Sequence, residues 1–193
     1  MSRGLRLYVP VLMVLAAACD KTPTAAAPAA VPAPPAGPVP VASVLDLMEG
    51  QLAPTSEILW NAVGTTSGPK GPIETQPRTD KDWAAVRRQA LMLAEAANLL
   101  ALEGRVVAHA DQKFINPPGP GDLTPAQSQA LIAAERPTWL AYAILLQGSA
   151  LATIKAIDAR DVDAFTEAGG AIDEACEQCH KKFWYPDAST PAP

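Results

Sequence analysis

Cysteine, histidine and clusters of basic residues are scarce in this sequence, and their scarcity limits the classes of function that the protein can have. Its 193 residues contain three cysteines and two histidines, and the net charge is −5. Because no run of basic residues is present, we expect no nucleic-acid partner. No nucleophile–base constellation and no phosphate-binding loop stands out, so we expect no enzymatic activity. After Cys19, no segment of the sequence suggests a transmembrane span.

The first residues have the three zones of a secretory signal peptide. Arg3 and Arg6 precede an apolar run that ends at Leu15 and is too short to span a bilayer. We therefore predict a signal peptide over residues 1–18. It ends in Ala-Ala-Ala before Cys19, which resembles the lipobox of bacterial lipoproteins, where the cysteine is lipidated. That box usually has leucine three residues before the cysteine, not four, so ordinary export with cleavage nearby is the alternative.

Composition divides the rest of the chain into three parts. Residues 19–40 are almost wholly Pro, Ala, Thr and Val, which favours an extended tether of roughly 60 Å at ~3.1 Å per residue. Residues 41–186 have the size of one domain, and residues 187–193 form a tail that we expect to be disordered. A lipid on Cys19 and the tether predict a periplasmic protein anchored to a membrane.

Apolar residues recur at helical spacing through the domain, and no strand pattern competes with them. We predict four helices, which begin near Ala42, Asp80, Thr124 and Asp161. Pro54 is expected to kink or divide the first helix, and Pro137 to bend the third. This pattern predicts an all-α, antiparallel up-down-up-down four-helix bundle.

The sequence CEQCH, residues 176–180, holds two of the three cysteines and one of the two histidines. On a helix, Cys176 and Cys179 lie on one face, where their thiols can reach the two vinyl groups of a haem. His180 then supplies an axial nitrogen to the iron. The motif predicts one covalently attached haem c.

Other interpretations of CEQCH meet specific difficulties. A redox Cys-x-x-Cys pair usually opens a helix after a strand, and this motif closes a helix. A zinc site needs a fourth ligand, for which the chain offers only His109 or carboxylates. A disulfide between cysteines three residues apart on a helix would be strained.

Four predicted helices with CEQCHKKFW on the last one resemble the cytochrome c′ family, including its low-spin, methionine-ligated relatives. The resemblance covers residues 41–185 and implies a haem near the C-terminus. In the family an aromatic residue and then usually an arginine follow the motif; here Phe183 keeps the aromatic residue and Trp184 replaces the arginine. Lys181 or Lys182 is the candidate to take over its polar role. Many relatives form homodimers, so both a monomer and a homodimer are open.

The sixth iron position has two candidate ligands, and it can also be vacant. Met48 lies about six residues into the first helix and His180 about four from the end of the fourth, which places them at similar heights at ~1.5 Å per residue. Low-spin relatives place their methionine ligand at this point, whereas five-coordinate members have an apolar blocker. The alternative is that Met48 only packs the core. His109 is either a second candidate ligand or a solvated loop residue, and Met92 is assigned to the core.

Two functions follow from this assignment. The first is an electron carrier whose iron is ligated by His180 and Met48, with membrane-associated redox proteins as partners. The second is a five-coordinate haem protein that binds nitric oxide or carbon monoxide, with Met48 as a steric lid.

Overall fold

The computed structural model describes residue 37, residues 39–115 and residues 118–186. The predicted signal peptide, Cys19, most of the tether and the tail at 187–193 lie outside these residues. The described part is mostly helical, with a small two-stranded sheet. Its elements in chain order are α1 (Val44–Leu47), a π-helical turn (Met48–Leu52), α2 (Ala53–Trp60), β1 (Gly64–Gly68), β2 (Gly71–Thr75), α3 (Asp80–Leu100), α4 (Pro125–Ala134), α5 (Arg136–Ala159) and α6 (Val162–Phe183).

Polar caps set the starts of the helices at the places that the sequence predicted. Thr79 caps α3: its hydroxyl accepts a hydrogen bond from the Asp82 backbone N–H at 3.2 Å, and the Asp82 carboxylate accepts one from the Thr79 N–H at 2.9 Å. Thr124 begins α4 with the same reciprocal pair, and Asp161 caps α6. These side chains satisfy backbone donors that have no partner inside the helix.

Pro137 divides the third predicted helix instead of bending it. Helix α4 ends at Ala134, and Glu135 leaves the helical conformation with φ −116° and ψ 41°. Helix α5 then begins at Arg136 with Pro137 in its first turn. Proline is tolerated there because the N–H that it lacks would have no partner. Pro54 likewise stands in the first turn of α2.

The connection after α2 contains an antiparallel hairpin, so the expectation of no strands was wrong. Strand β1 pairs with β2 in the register Gly64–Thr75 to Gly68–Gly71. Nearly every residue of both strands is exposed. A hairpin with no buried face shows no alternation of apolar and polar residues, which is the signal that sequence analysis depends on.

The long helices pack in antiparallel pairs. The Arg87 guanidinium of α3 bonds the Asp158 carboxylate of α5 at 2.7 Å, and Asn98 accepts a hydrogen bond from Gln147 at 2.6 Å. Helix α5 also packs against α6. The core between the helices includes the fully buried residues Leu59, Leu93, Ile157, Phe165 and Ile172.

Helix α5 is long and apolar enough to cross a membrane by length and composition alone, which the sequence analysis did not predict. A core helix passes the same test. Here α5 lies against α3 and α6, and it buries Trp139, Ala150 and Ile157. One face of α5 therefore belongs to the core of the helical domain, whereas Ile144 and Leu151 on its other side are exposed.

Three side chains cap the C-terminal end of α3. The buried Arg105 donates from Nε to the Leu99 carbonyl at 2.9 Å, and the Trp139 indole donates to the Leu100 carbonyl at 2.9 Å. Arg136 donates to the Ala101 carbonyl. The last carbonyls of a helix lack intrahelical donors, so these bonds fix where α3 ends and where the next segment begins.

Candidate functional site

The last two turns of α6 carry the cysteines and the histidine of CEQCH. Asp161 caps this helix and Phe183 ends it, so the motif lies inside regular helix. Residues three and four apart lie on one helical face, and Cys176, Cys179 and His180 accordingly line the same cavity. Neither cysteine forms a disulfide bond with any residue that the structure describes.

The cavity has a volume of about 570 Å³, within the range of ~300–1,000 Å³ that is usual for small-molecule and cofactor sites. Its walls come from α6, α5, the α1–α2 region and the loops near them. The described lining is mostly apolar, contains no lysine or arginine, and includes the aromatic residues Phe114, Trp139, Tyr142, Phe183 and Trp184.

Met48 reaches this cavity from the π-helical turn, so the structure brings it together with CEQCH. The Ala53 N–H bonds the Met48 carbonyl, five residues back instead of four. Pro54 follows and has no N–H to offer the Gly50 carbonyl. A π-helical turn at this point is a local accommodation of the kind that often occurs at functional sites. Met48 is partly buried at the edge of the core.

Burial controls the protonation of the motif. It raises the pKa of the Cys176 thiol to about 11 and that of the Cys179 thiol to about 12. Redox-active thiols have lowered pKa values instead, so this environment does not favour dithiol redox chemistry. Burial also lowers the pKa of His180. Its imidazole is therefore neutral at pH 7, which is the form that binds a metal.

Aromatic side chains surround the His180 ring. The Trp184 ring lies edge-on to it, with centroids 5.1 Å apart, and the Tyr185 ring centroid is 5.8 Å away. The Tyr185 hydroxyl donates to the Glu177 carboxylate; burial and this bond raise the pKa of the phenol. The hydroxyl therefore stays protonated at neutral pH, and the rings limit the freedom of the imidazole.

The two lysines after the motif do not line the cavity. Lys181 pairs with Glu177 at 3.2 Å, and Lys182 pairs with Glu135 at 2.7 Å. Trp184, which stands where the resembling family usually has arginine, does line it. Among the described residues, the cavity lining contains no cationic side chain.

His109 and Met92 occupy other surroundings. His109 is exposed, lies 3.7 Å from the Asp46 carboxylate and is not among the cavity residues. Met92 is 45% exposed, so its assignment to the core was wrong. Met92 lies on the outer side of α3, whereas its neighbours Leu93 and Ala94 are buried in the core.

The cavity wall contains one buried hydroxyl group, that of Ser56, which has no partner among the described residues. Ser56 is 2% exposed. Such an unpaired buried hydroxyl costs ~1–3 kcal/mol of stability. The wall is mainly apolar and also carries two thiols, an imidazole, a thioether, hydroxyls and the carboxylates of Glu49 and Glu57. A wall of this kind fits a large, mainly apolar group such as haem. In the described part of the chain, no cluster of three or more His, Cys, Asp or Glu side chains offers a metal site of its own.

Residues 105–115, which we call the strap, run beside α1; the sequence analysis considered only His109 of this segment, as a candidate ligand. The Val44 and Leu45 N–H groups donate to the carbonyls of Val106 and Val107, at 2.9 and 3.0 Å. At its other end the strap places Phe114 on the cavity wall. These bonds were not predictable from the residue pattern, because they join backbone groups that are distant in the chain.

Comparisons of the chain with protein-family models, with curated proteins and with solved structures gave no match.

Proposed function

We propose that the chain is a monohaem c-type cytochrome that carries electrons. Cys176 and Cys179 would hold the haem covalently, and His180 and Met48 would ligate its iron. The observation that carries the proposal is that Met48 and CEQCH, far apart in sequence, line one mostly apolar cavity. A haem bound there would supply a one-electron couple at iron, whose potential thioether ligation raises.

The protein would contribute orientation and shielding. The neutral His180 imidazole is ready to bind iron, and Trp184 and Tyr185 hold its ring. The apolar wall keeps water from the cofactor, which limits reactions other than electron transfer. An electron carrier needs no substrate-binding groups beyond these.

The proposal includes a fold and a location. The helical segments would form the up-down-up-down four-helix bundle of the resembling family, an arrangement that the antiparallel pairs Arg87–Asp158 and Trp60–Gly169 support. A lipid on Cys19 and the tether would hold the domain at a periplasmic membrane surface, near membrane-associated redox partners. Both a monomer and a homodimer are compatible with this role.

Covalent haem is the first property to test. The chain is expressed with its own signal peptide in a host that matures c-type cytochromes, and haem is stained on a denaturing gel. We expect haem to migrate with the wild type. The Cys176→Ala/Cys179→Ala double variant should lose it. A wild-type chain that is exported without covalent haem would contradict the proposal.

A further inference from the structure

We propose that Gln112 is a positioning residue for Met48, because it fastens the strap to the turn that precedes Met48 and closes that side of the cavity. This inference rests on the proposed function. Gln112 does not itself line the cavity; it acts through the segments that it joins.

Gln112 connects three parts of the chain through one amide. Its Nε2 donates to the Asp46 carboxylate at 2.7 Å. Its Oε1 accepts from the Ser43 hydroxyl at 2.8 Å and from the His109 backbone N–H at 2.9 Å. Ser43 is the N-cap of α1 and Asp46 lies in its first turn. The amide therefore ties the start of the helical segment that carries Met48 to the middle of the strap.

A further bond joins the end of the strap to the π-helical turn. The Ile115 N–H donates to the Glu49 carboxylate at 2.8 Å. Glu49 is the neighbour of Met48, and Phe114 and Ile115 both line the cavity. The strap thus forms cavity wall next to Met48, and its attachment there depends on exposed side-chain bonds.

The base of the strap is attached differently. Its Val106 and Val107 carbonyls accept from the backbone of α1, and the Val107 N–H donates to Gln129 at 2.7 Å. The buried Arg105 also donates to the Ala42 carbonyl. Removal of the Gln112 amide should therefore loosen residues 109–115, which keep the bond from Ile115 to Glu49, while the base stays in place.

The attachment of the strap is expected to affect both the access of small ligands to the cavity and the ligation of the iron by Met48. With the strap fastened, the wall beside Met48 is closed and the turn that carries Met48 is held at both ends. With the strap released, a small external ligand such as carbon monoxide reaches the Met48 side of the cavity more readily. The position in which Met48 would ligate the iron also becomes less favoured.

The test compares Gln112→Ala with Lys113→Ala in haem-loaded protein. Lys113 is exposed on the same strap, and the structure gives it no hydrogen bond or ion pair with any described residue. In Gln112→Ala we expect the Ile115 amide to exchange its hydrogen about three- to tenfold faster, since the three hydrogen bonds of the Gln112 amide are lost while the bond from Ile115 to Glu49 remains. The Val44 and Leu45 amides should keep their wild-type rates.

Two spectroscopic measurements report on the surroundings of the iron in these variants. In Gln112→Ala the sulfur-to-iron absorption band should weaken, and carbon monoxide should bind the reduced protein severalfold faster. Lys113→Ala should match the wild type in every measurement. Gln112→Glu, which keeps the size but places a second carboxylate against Asp46, should behave like Gln112→Ala.

Other outcomes overturn the inference. Unchanged Ile115 exchange and unchanged carbon monoxide binding in both Gln112 variants would show that the amide positions nothing. Failure of both variants to fold would make Gln112 a structural residue only. The haem stain of the wild type separates these results from failure of the proposed function: haem present with indifferent Gln112 variants contradicts only this inference, whereas a chain without haem contradicts both.

Discussion

The indole Nε1 of Trp60 donates a hydrogen bond to the backbone carbonyl of Gly169 at 2.9 Å. Trp60 ends α2, which follows the turn that carries Met48, and Gly169 lies on α6, two turns before Cys176. A methyl group added at Gly169 would lie 3.5 Å from Cδ1 of the indole, at ordinary contact distance. The bond therefore sets the spacing between the two helical segments that face each other across the cavity, and Trp60 itself lines that cavity.

Trp60→Phe should lower the free energy of unfolding by about 1 kcal/mol, because it removes this hydrogen bond and keeps an aromatic ring. Denaturant unfolding of the haem-bound protein measures the change. Ile58→Val is the control, since Ile58 is 47% exposed on the same helix and its truncation removes apolar volume but no hydrogen bond. Equal losses in the two variants would show that the Trp60 bond adds no stability.

Gly170→Ala should raise the free energy of unfolding by about 1 kcal/mol, which is the helix-propensity difference between the two residues. Gly170 is exposed inside α6, and an added methyl group would meet nothing within 4 Å. Gly169→Ala should gain less, because its methyl group would touch Trp60. A destabilised Gly170→Ala protein would show that a partner or the cofactor needs this space.

Arg105→Ala should lower the free energy of unfolding by about 2 kcal/mol. It removes hydrogen bonds from a buried guanidinium to the Leu99 and Ala42 carbonyls, and bonds to charged groups are the stronger kind. Thermal or denaturant unfolding measures the loss. Arg88→Ala, on the exposed side of α3, serves as the control and should leave stability unchanged. If the two variants were equally stable, the C-terminal cap of α3 would not need Arg105.

The apoprotein should lose stability at alkaline pH, whereas the haem-bound protein should not lose it from the same groups. The pKa values of Cys176 and Cys179 are raised from 9.0 to about 11 and about 12. Between pH 9.0 and about pH 12, the folded chain binds more thiol protons than the unfolded chain. The contribution is thus complete below pH 9.0 and is lost as the pH rises towards the folded-state values. With haem attached, both sulfurs are thioethers and no longer titrate.

Denaturant unfolding of the apoprotein at about pH 8 and about pH 10 checks this sign. The Cys176→Ala/Cys179→Ala apoprotein should show a smaller fall between the two pH values. A fall of the same size in both proteins would assign the alkaline loss to other groups.

The sequence predicted the features that depend on local chemistry. Thr79, Thr124 and Asp161 cap helices because a short polar side chain before an apolar run satisfies free backbone N–H groups. This pattern can be recognised in a single amino-acid sequence. The placement of Met48 beside CEQCH was predicted from helix lengths, the antiparallel order of the helices and the position of Met48 on the apolar face of the first helix.

Features that depend on contacts between distant segments were not predictable in this way. The strap is held to α1 by backbone carbonyls and by Gln112, and nothing in the residue pattern of 105–115 indicates those partners. The exposed hairpin at Gly64–Thr75 has no buried face and so no periodic signal. Pro137 was consistent with either a bend or a new helix, and the non-helical conformation of Glu135 decided it.

The proposed electron carrier requires that Met48 and His180 together ligate the haem iron. The absorption spectrum of the holoprotein, oxidised and reduced, with and without carbon monoxide, tests this for the wild type and for Met48→Ala. We expect a low-spin wild type with a far-red sulfur-to-iron band that Met48→Ala abolishes. A high-spin wild type that binds carbon monoxide readily and does not respond to Met48→Ala would contradict the claim and would favour a five-coordinate, gas-binding protein.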